Sequence, residues 1–237
     1  MTNDKLQITN YGAILRRVIL QPILFYTRLK EESWKEKSLS FLIITSWVLA
    51  AFVALAIFII QFVPIGATLV EGIKGFKFII ILPVLLTLGF TFYMMTFLII
   101  GGVMVLGLGA AFYLLALILH PIALAARGKG SLNRLVQSLY YSSGVLLAMI
   151  LPLLLAILAR FSLFDPGLFL VGFNFIFFLM VIFIYGLWAV VIRRTYGISK
   201  PLSFVIAAIP AVVLLVGLFV LDKAAGEKII SFVTPLK

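Results

Sequence analysis

The sequence predicts an all-α fold, a polytopic transmembrane helical bundle of five spans. Of its 237 residues, 64% are hydrophobic and 11% are charged, and the mean hydropathy is +1.26. These values lie far outside the range of soluble domains. A helix needs about 20 apolar residues to cross a hydrocarbon core roughly 30 Å thick, and the chain contains several stretches of that length. The bilayer is therefore the expected solvent, and no separate soluble domain is expected.

Residues 1–38 are predicted to be a cytoplasmic segment that carries a short amphipathic helix. Apolar and aromatic residues recur there at i, i+3, i+4 and i+7: Pro22, Phe25, Tyr26 and Leu29. The opposite side is polar and includes Arg28, which is typical of an amphipathic helix. We expect this helix to be interfacial, lying in the headgroup region with its basic residues toward anionic lipid. The alternative is that it packs on the protein's own cytoplasmic face.

The membrane domain is predicted to cover residues 39–221, with a short extracytoplasmic tail at 222–237. Four of its spans are expected at about 39–64, 135–159, 167–192 and 201–221. A polar link follows the first of them, with Glu71, Lys74 and Lys77.

Local signals mark the ends of the later spans. A turn is expected at Asp165, just before a proline. After the fourth span, Gly197 can adopt the left-handed conformation that caps a helix. Ser199 and Pro201 then suit the start of the last helix.

The apolar tract 76–126 is too long for one crossing, since a span needs about 17 to 25 residues. We expect glycine to interrupt it, at Gly89 or at the pair Gly101 and Gly102. If the tract crosses once, 13 of the 19 Lys and Arg residues lie in the cytoplasm, and if it crosses twice, 11 do. The positive-inside rule therefore favours one crossing, a cytoplasmic N-terminus and an extracytoplasmic C-terminus. Residues 76–98 would then form a re-entrant or interfacial helix, or a long tilted extension of the second span.

The net charge of +11 is attributed to basic loops of a membrane protein, so nucleic acid is not an expected partner. The sequence has no cysteine, which excludes disulfides and thiolate sites. The single histidine, His120, has no acidic residue close in sequence. Acidic residues fall at span ends, at Glu71, Asp165 and Asp222, so proton-coupled transport is not expected. Asn174 lies within an apolar run and is expected to bond another helix.

No catalytic motif emerges from the sequence. Intramembrane proteolysis needs a Ser and His pair, paired aspartates or HExxH, and none of these patterns is present. The stretch from Gly128 to Ser131 lacks the upstream glycine of a phosphate loop. We therefore predict no catalytic residue, no cofactor and no metal site.

Four short elements of the sequence share a characteristic order relative to the spans. They are Gln21–Trp34, Ala126–Ser131 leading into Tyr140–Ser143, Pro152 in the third span, and Tyr185–Pro201 with Pro210 beyond it. In this arrangement the chain resembles the Yip family of Ypt-interacting membrane proteins, and specifically its bacterial members. The resemblance extends over roughly residues 20 to 220.

The resemblance implies a five-span helical domain with a cytoplasmic N-terminus and no enzymatic activity. Eukaryotic members of the family act in vesicle trafficking by binding small GTPases and each other. This sequence does not show their long N-terminal cytoplasmic region, so GTPase binding is not expected. For bacterial members, the resemblance implies an accessory role in the inner (plasma) membrane, beside a partner such as a transporter.

The predicted function is that of a non-enzymatic membrane adaptor or scaffold, which binds anionic lipid or a membrane-protein partner through its cytoplasmic face. The candidate interaction residues are Pro22, Phe25, Arg28, Arg127, Lys129, Tyr140, Trp188, Arg193, Arg194 and Tyr196. Further cations on this face are Arg16, Arg17 and Lys30. Small residues from Gly101 to Ala111 would also allow a homo-oligomer.

The alternative function is that of a permease, channel or lipid-moving protein, with a groove along the glycine-rich second span. A cavity that reaches past mid-membrane and is lined by Thr91, Tyr140 or Asn174 would favour this alternative. A closed bundle would favour the scaffold.

Overall fold

The computed structural model of the protein describes residues 4–71, 73 and 76–234, with the side chains of residues 4–10 excepted. Within these residues the chain is helical and contains no strand. Its helices in chain order are α1 (Asp4–Leu20), α2 (Pro22–Arg28), α3 (Lys37–Val70), α4 (Phe76–Ala125), α5 (Leu132–Arg160), α6 (Pro166–Tyr196) and α7 (Lys200–Val233). Residues 1–3, Lys74 of the predicted link and the last three residues of the predicted tail lie outside the described residues.

Helices α3 to α7 are each long and apolar enough to cross a membrane. The prediction of an all-α bundle with five such helices is therefore confirmed.

The predicted helix ends are also present. The carboxylate of Asp165 accepts a hydrogen bond from the N–H of Leu168 at 2.9 Å, and Gly197 has a φ of 68° and donates to the carbonyl of Arg193 at 2.9 Å. The last helix continues past the predicted end near residue 221 as far as Val233.

Two of the long helices contain a stretch of different pitch. In α3 the segment Phe58–Phe62 is a π-turn, and Pro64 follows it. Proline has no N–H and collides with the carbonyl of residue i−4, so a wider turn before it relieves both problems. In α5 the segment Ser143–Met149 is a 3₁₀-helix, and Pro152 lies just after it.

Helix α4 is continuous over 50 residues, from Phe76 to Ala125. The predicted interruption at Gly89, or at Gly101 and Gly102, is therefore wrong. Glycine weakens a helix by only about 1 kcal/mol, and packing can offset that cost. Two of these glycines instead lie where α3 presses its aromatic rings against α4: a Cβ added at Gly89 would be 2.9 Å from the Phe62 ring. Residues 76–98 are an extension of the second span, and not a separate re-entrant helix.

The larger hydrophobic core lies at the end of the bundle where the N-terminal segment packs. All seven helices contribute residues to this core. Its fully buried members include Val18, Tyr26, Leu42, Leu119, Leu135 and Ile192. A smaller core lies toward the other end, around Ile60, Ala156, Ala159, Phe169 and Val233. Most of α4 outside these contacts is exposed. The best-packed part of the molecule is thus the end that carries most of its cations.

Helix α1 was not predicted from the sequence, and it packs against the bundle. The hydroxyl groups of Tyr11 and Thr45 lie 3.0 Å apart, and Val18 is completely buried. Thr45 is eight residues into α3, so Tyr11 reaches roughly 12 Å along that helix from its start. Burial raises the pKa of Tyr11, which keeps its phenol neutral and able to hydrogen-bond with Thr45.

Helix α2 begins at the predicted residue, Pro22, and its predicted apolar face is turned toward the protein. Tyr26 is buried, and its hydroxyl donates to the carbonyl of Ser138 in α5 at 3.4 Å. The ring of Phe25 meets that of Tyr141 edge-on, with centroids 5.3 Å apart. Of the two alternatives that the sequence left open, the structure shows the contact with the protein's own surface. Other apolar residues, described below, remain on the outside of this helix.

Candidate functional site

One end of the bundle gathers three parts of the chain that are distant in sequence. They are the N-terminal segment 11–36, the loop 126–131 between α4 and α5, and the turn 197–199 between α6 and α7. The N–H of Lys129 donates to the carbonyl of Tyr196 at 3.0 Å, which joins the loop to the turn. The amide Nδ2 of Asn133 donates to the carbonyl of Glu32 at 2.9 Å, which joins the N-terminal segment to α5. Three of the four sequence elements that carry the family resemblance therefore meet here.

Two glycines allow the loop to approach α6 closely. A Cβ added at Gly128 would lie 2.7 Å from the Cβ of Tyr196, and one added at Gly130 would lie 2.4 Å from the carbonyl oxygen of Thr195. A side chain at either position would push the loop away from the helix end. Arg127 has a φ of 62°, a left-handed conformation that turns the chain out of α4. The backbone geometry thus fixes the loop against the fourth span.

Eight predicted cations at this end are exposed: Arg16, Arg17, Arg28, Lys30, Arg127, Lys129, Arg193 and Arg194. We call them the basic face. Arg193 and Arg194 belong to the last turn of α6, where cations complement the helix dipole. Because the loop and the turn are short and bonded to each other, their guanidinium groups project from an ordered backbone.

Three of the four predicted aromatic residues, Tyr140, Trp188 and Tyr196, are buried and do not form part of the exposed surface. The hydroxyl of Tyr140 donates to a backbone carbonyl of α4 at 3.3 Å, and Nε1 of Trp188 donates to Oγ of Ser142 at 3.1 Å. The hydroxyl of Tyr196 lies 2.5 Å from Nδ1 of His120. Each bond joins two helices, so these side chains hold the bundle beneath the basic face.

The predicted residues of α2 have different surroundings. Pro22 and Phe25 are half-buried, and Arg28 is exposed. Phe25 packs against Tyr141 of α5, whereas Arg28 lies on the basic face together with Lys30. Phe25 therefore attaches the helix, and Arg28 is available to a ligand.

Two amide side chains of α5 bind the backbone that follows α2. Nε2 of Gln137 donates to the carbonyl of Lys30 at 3.1 Å, and its Oε1 accepts from the N–H of Glu32 at 3.4 Å. Asn133, one turn earlier, also accepts a hydrogen bond from the N–H of Trp34 at 3.4 Å. The segment 29–34 is irregular, so these amides satisfy backbone groups that no helix would satisfy.

The side chain of Ser131, the N-cap of α5, completes this attachment. The hydroxyl of Ser131 donates to the carboxylate of Glu31 at 2.5 Å, and its Oγ accepts from the N–H of Arg134 at 3.1 Å as the helix cap. Ser131, Asn133 and Gln137 were not among the residues predicted from the sequence to form the site. Asn133 and Gln137 are amides at i and i+4 in the first turns of an otherwise apolar span. This pair is the sequence signal that could have indicated the attachment.

A groove of about 490 Å³ lies between α1, α2, the segment after α2 and α5. Four cations line it, namely Arg17, Arg28, Lys30 and Lys37, and the acid in its lining is Glu32. Glu32 forms an ion pair with Lys37 at 2.9 Å. Among the side chains that the structure describes, this is the only ion pair, which leaves three cations of the groove without an acidic partner.

The opposite end of the bundle contains a different polar contact. Nδ2 of Asn174 in α6 donates to the carboxylate of Asp222 in α7 at 2.9 Å, which confirms the predicted helix-to-helix bond of Asn174. The guanidinium of Arg160 is buried and donates to the carbonyl of Thr234. Both contacts tie the far ends of α5 and α6 to α7.

A second groove, of about 600 Å³, lies between α3 and α4. Its lining is almost wholly apolar and aromatic, and it includes Phe58, Phe62 and Tyr93. Thr91, Tyr140 and Asn174, the residues named for a transport pathway, do not line it. The groove can accept hydrocarbon, but it offers no polar path.

No group of three or more His, Asp or Glu residues that could hold a metal ion occurs in the described part of the chain. In comparisons with known proteins, no family model, curated protein or solved structure matches this chain.

Proposed function

We propose that the protein is a non-enzymatic membrane adaptor or scaffold of the Yip family type, which binds anionic lipid or a membrane-protein partner through its basic face. The observation that carries this proposal is the bond between Lys129 and Tyr196. It joins the loop 126–131 to the last turn of α6, and the four cations of these two elements are all exposed: Arg127, Lys129, Arg193 and Arg194. Fixed guanidinium groups can present paired donors to phosphate or carboxylate with a small ordering cost.

The proposed location is the bacterial inner membrane, with the N-terminus and the basic face in the cytoplasm and the C-terminus outside. Residues 1–38, 127–134 and 193–200, which include the basic face, contain 13 of the 19 Lys and Arg residues. Cytoplasmic loops carry such an excess, and the cytoplasmic leaflet is rich in anionic lipid. The resemblance to the Yip family, which implies the same orientation, supports the assignment.

A membrane-protein partner such as a transporter, or a second copy of the chain, would meet the exposed surface of α4. Small residues are exposed there at Gly107, Ala110 and Ala111, and they let helices approach closely. The partner's cytoplasmic part would then lie beside the basic face.

Substitution of Arg193 and Arg194 tests whether their guanidinium groups bind a partner. Arg193→Lys/Arg194→Lys keeps the charge and loses the planar fork, whereas Arg193→Gln/Arg194→Gln loses both. We expect the lysine variant to insert normally and to lose partner protein or lipid in a pull-down from native membranes in mild detergent. Retention of both ligands by the lysine variant, with misinsertion of the glutamine variant, would show that these arginines only direct topology.

The apolar groove between α3 and α4 favours a second candidate, a lipid-moving protein. The groove lies beside the second span, and its volume of about 600 Å³ and apolar lining suit an acyl chain. Gly66→Leu, at its lining, would fill it, and Gly217→Leu on α7 is a matched change outside it. If the protein moves lipid, vesicles that contain it exchange a fluorescent phospholipid between leaflets, and only the Gly66 variant loses this activity. Exchange no faster than in empty vesicles would exclude this candidate.

A further inference from the structure

The groove between α1, α2 and α5 has the composition of an anion site. Its cations come from three separate parts of the chain: Arg17 from α1, Arg28 and Lys30 from the end of α2, and Lys37 from the start of α3. Like charges brought together in a concave site repel one another unless an anion lies between them. Glu32 partners only Lys37 among the described side chains. Arg17, Arg28 and Lys30 therefore leave the groove with a net positive charge.

Neutral donors complete the lining. Tyr141 lines the groove, and its hydroxyl makes no hydrogen bond with any of the described residues. Gln21 lies on the other side, at the junction of α1 and α2. A phosphate has several acceptor oxygens, and a combination of guanidinium, ammonium and neutral donors suits it. The volume of about 490 Å³ is ample for a phosphodiester headgroup.

The groove lies where the spans begin. Lys37 is the first residue of α3, and Gln137 and Tyr141 belong to the first three turns of α5. A groove at this level opens among the headgroups, since the apolar part of each span follows directly. The phosphate of a phospholipid is therefore at the right depth to enter it.

An apolar surface adjoins the cations. Leu20, Ile23 and Leu24 are 66%, 58% and 44% exposed, and Leu24 also lines the groove. They lie on the side of the α1–α2 junction that does not pack on the protein. Free phosphate would gain nothing from these side chains, whereas the acyl chains of a lipid would cover them.

We infer that this groove binds the phosphate of one anionic phospholipid such as phosphatidylglycerol, with Arg17, Arg28 and Lys30 as its cationic contacts and Leu20, Ile23 and Leu24 against its acyl chains. The inference rests on the proposed function in that it assigns a lipid ligand to part of the basic face. It concerns the N-terminal side of that face, and not the loops with Arg127, Lys129, Arg193 and Arg194.

The test is a titration of the purified full-length protein, in mild detergent, with phosphatidylglycerol or with phosphatidylcholine, in which native mass spectrometry counts the bound lipids. We expect one saturable phosphatidylglycerol and much weaker binding of phosphatidylcholine. Arg28→Gln/Lys30→Gln should raise the half-saturating concentration at least about tenfold, because each basic residue near an anionic headgroup strengthens binding several-fold. Both side chains are exposed, so the variant is expected to fold.

A matched control removes two cations elsewhere at the same end. Lys35→Gln/Lys200→Gln changes exposed residues that do not line the groove. We expect this control to retain the wild-type half-saturation. An equal loss of binding in both variants would mean diffuse attraction to the whole surface, and would overturn the assigned site.

Inorganic phosphate and soluble glycerophosphoglycerol distinguish the lipid from the free anion. If the ligand is a lipid, neither competes at concentrations that saturate the site with phosphatidylglycerol, and Leu20→Asn/Leu24→Asn weakens lipid binding. Effective competition by inorganic phosphate, with no effect of the leucine substitutions, would overturn the lipid assignment. Retention of the partner by the Arg193→Lys/Arg194→Lys variant would contradict the proposed function and leave this result unchanged, so the two proposals fail separately.

Discussion

Gly101 of α4 packs directly against the indole ring of Trp47 in α3. A Cβ added at Gly101 would lie 2.1 Å from Cζ3 of Trp47, whereas one added at the next residue, Gly102, would meet no atom within 4 Å. Two adjacent glycines thus differ completely in their surroundings. Gly101 therefore sets the distance between α3 and α4, and Gly102 faces outward.

Alanine at these two positions should therefore have opposite effects. Gly101→Ala is expected to destabilise the protein by about 1–3 kcal/mol, because the ring of Trp47 must move. Gly102→Ala should be neutral or stabilising by up to about 1 kcal/mol, because alanine favours the helix. The fraction unfolded is measured against denaturing detergent in mixed micelles. Equal midpoints for the two variants would contradict the observed packing.

Gln137→Ala should release the segment that follows α2. The variant loses the bonds to the backbone of Lys30 and Glu32, which are worth about 1 kcal/mol each. Trypsin cleaves after Lys30 and Lys35, so the cleavage rate in this segment reports the release directly. We expect an increase of about tenfold or more, since 1.4 kcal/mol corresponds to a factor of about 10.

Gln61→Ala is the control for this measurement, because Gln61 is exposed on α3 and remote from the N-terminal segment in sequence. It should leave tryptic cleavage at Lys30 and Lys35 unchanged. Equal cleavage of the wild type and of Gln137→Ala would show that the amide does not hold the segment.

The N-cap residues of α6 and α7, Asp165 and Ser199, should differ in strength. Asp165→Ala is expected to cost about 1 kcal/mol, because its carboxylate accepts the N–H of Leu168. Ser199→Ala should cost at most a few tenths of a kcal/mol, because the hydroxyl of Ser199 makes no capping bond. The same mixed-micelle unfolding experiment compares them. A Ser199 variant less stable than the Asp165 variant would refute this ranking.

The orientation in the membrane can be tested with single cysteines, since the sequence has none of its own. Exposed residues are available at both ends of the bundle: Glu71, Ser199 and Ser231. In intact cells an impermeant thiol reagent should label Glu71→Cys and Ser231→Cys, and it should label Ser199→Cys only after the cells are opened. Labelling of Ser199→Cys from outside would invert the proposed orientation.

The helical spans and their ends were predictable because their signals are local. Apolar length indicated four of the spans, and the cation count favoured a single crossing by the tract 76–126. Asp165, Gly197 and Pro201 act within one turn of their own position. The error at Gly101 has the opposite cause. A glycine lowers the stability of its helix by the same amount whether the helix breaks there or an aromatic ring of a neighbouring helix packs against it. Only the position of the neighbouring helix distinguishes these two cases.

The candidate site was predictable only in part for the same reason. The cations of the loops were recognisable from the sequence because exposed basic residues are usual at span ends. The attachment of the N-terminal segment depends on pairs about a hundred residues apart, such as Lys30 with Gln137. No local periodicity reports such a pair, so the groove could not be anticipated, and the packing of Tyr26 on the protein was only one of two alternatives.

That separation also sets an order of assembly during synthesis. Lys30 leaves the ribosome 107 residues before Gln137, which corresponds to roughly 5–20 s at about 5–20 residues per second. Throughout this interval Tyr26 and its neighbours have only the bilayer surface and the nascent first two spans to contact. The basic groove therefore forms late, when the third span arrives. A chain arrested before Leu132 would carry the N-terminal cations without the groove that they line.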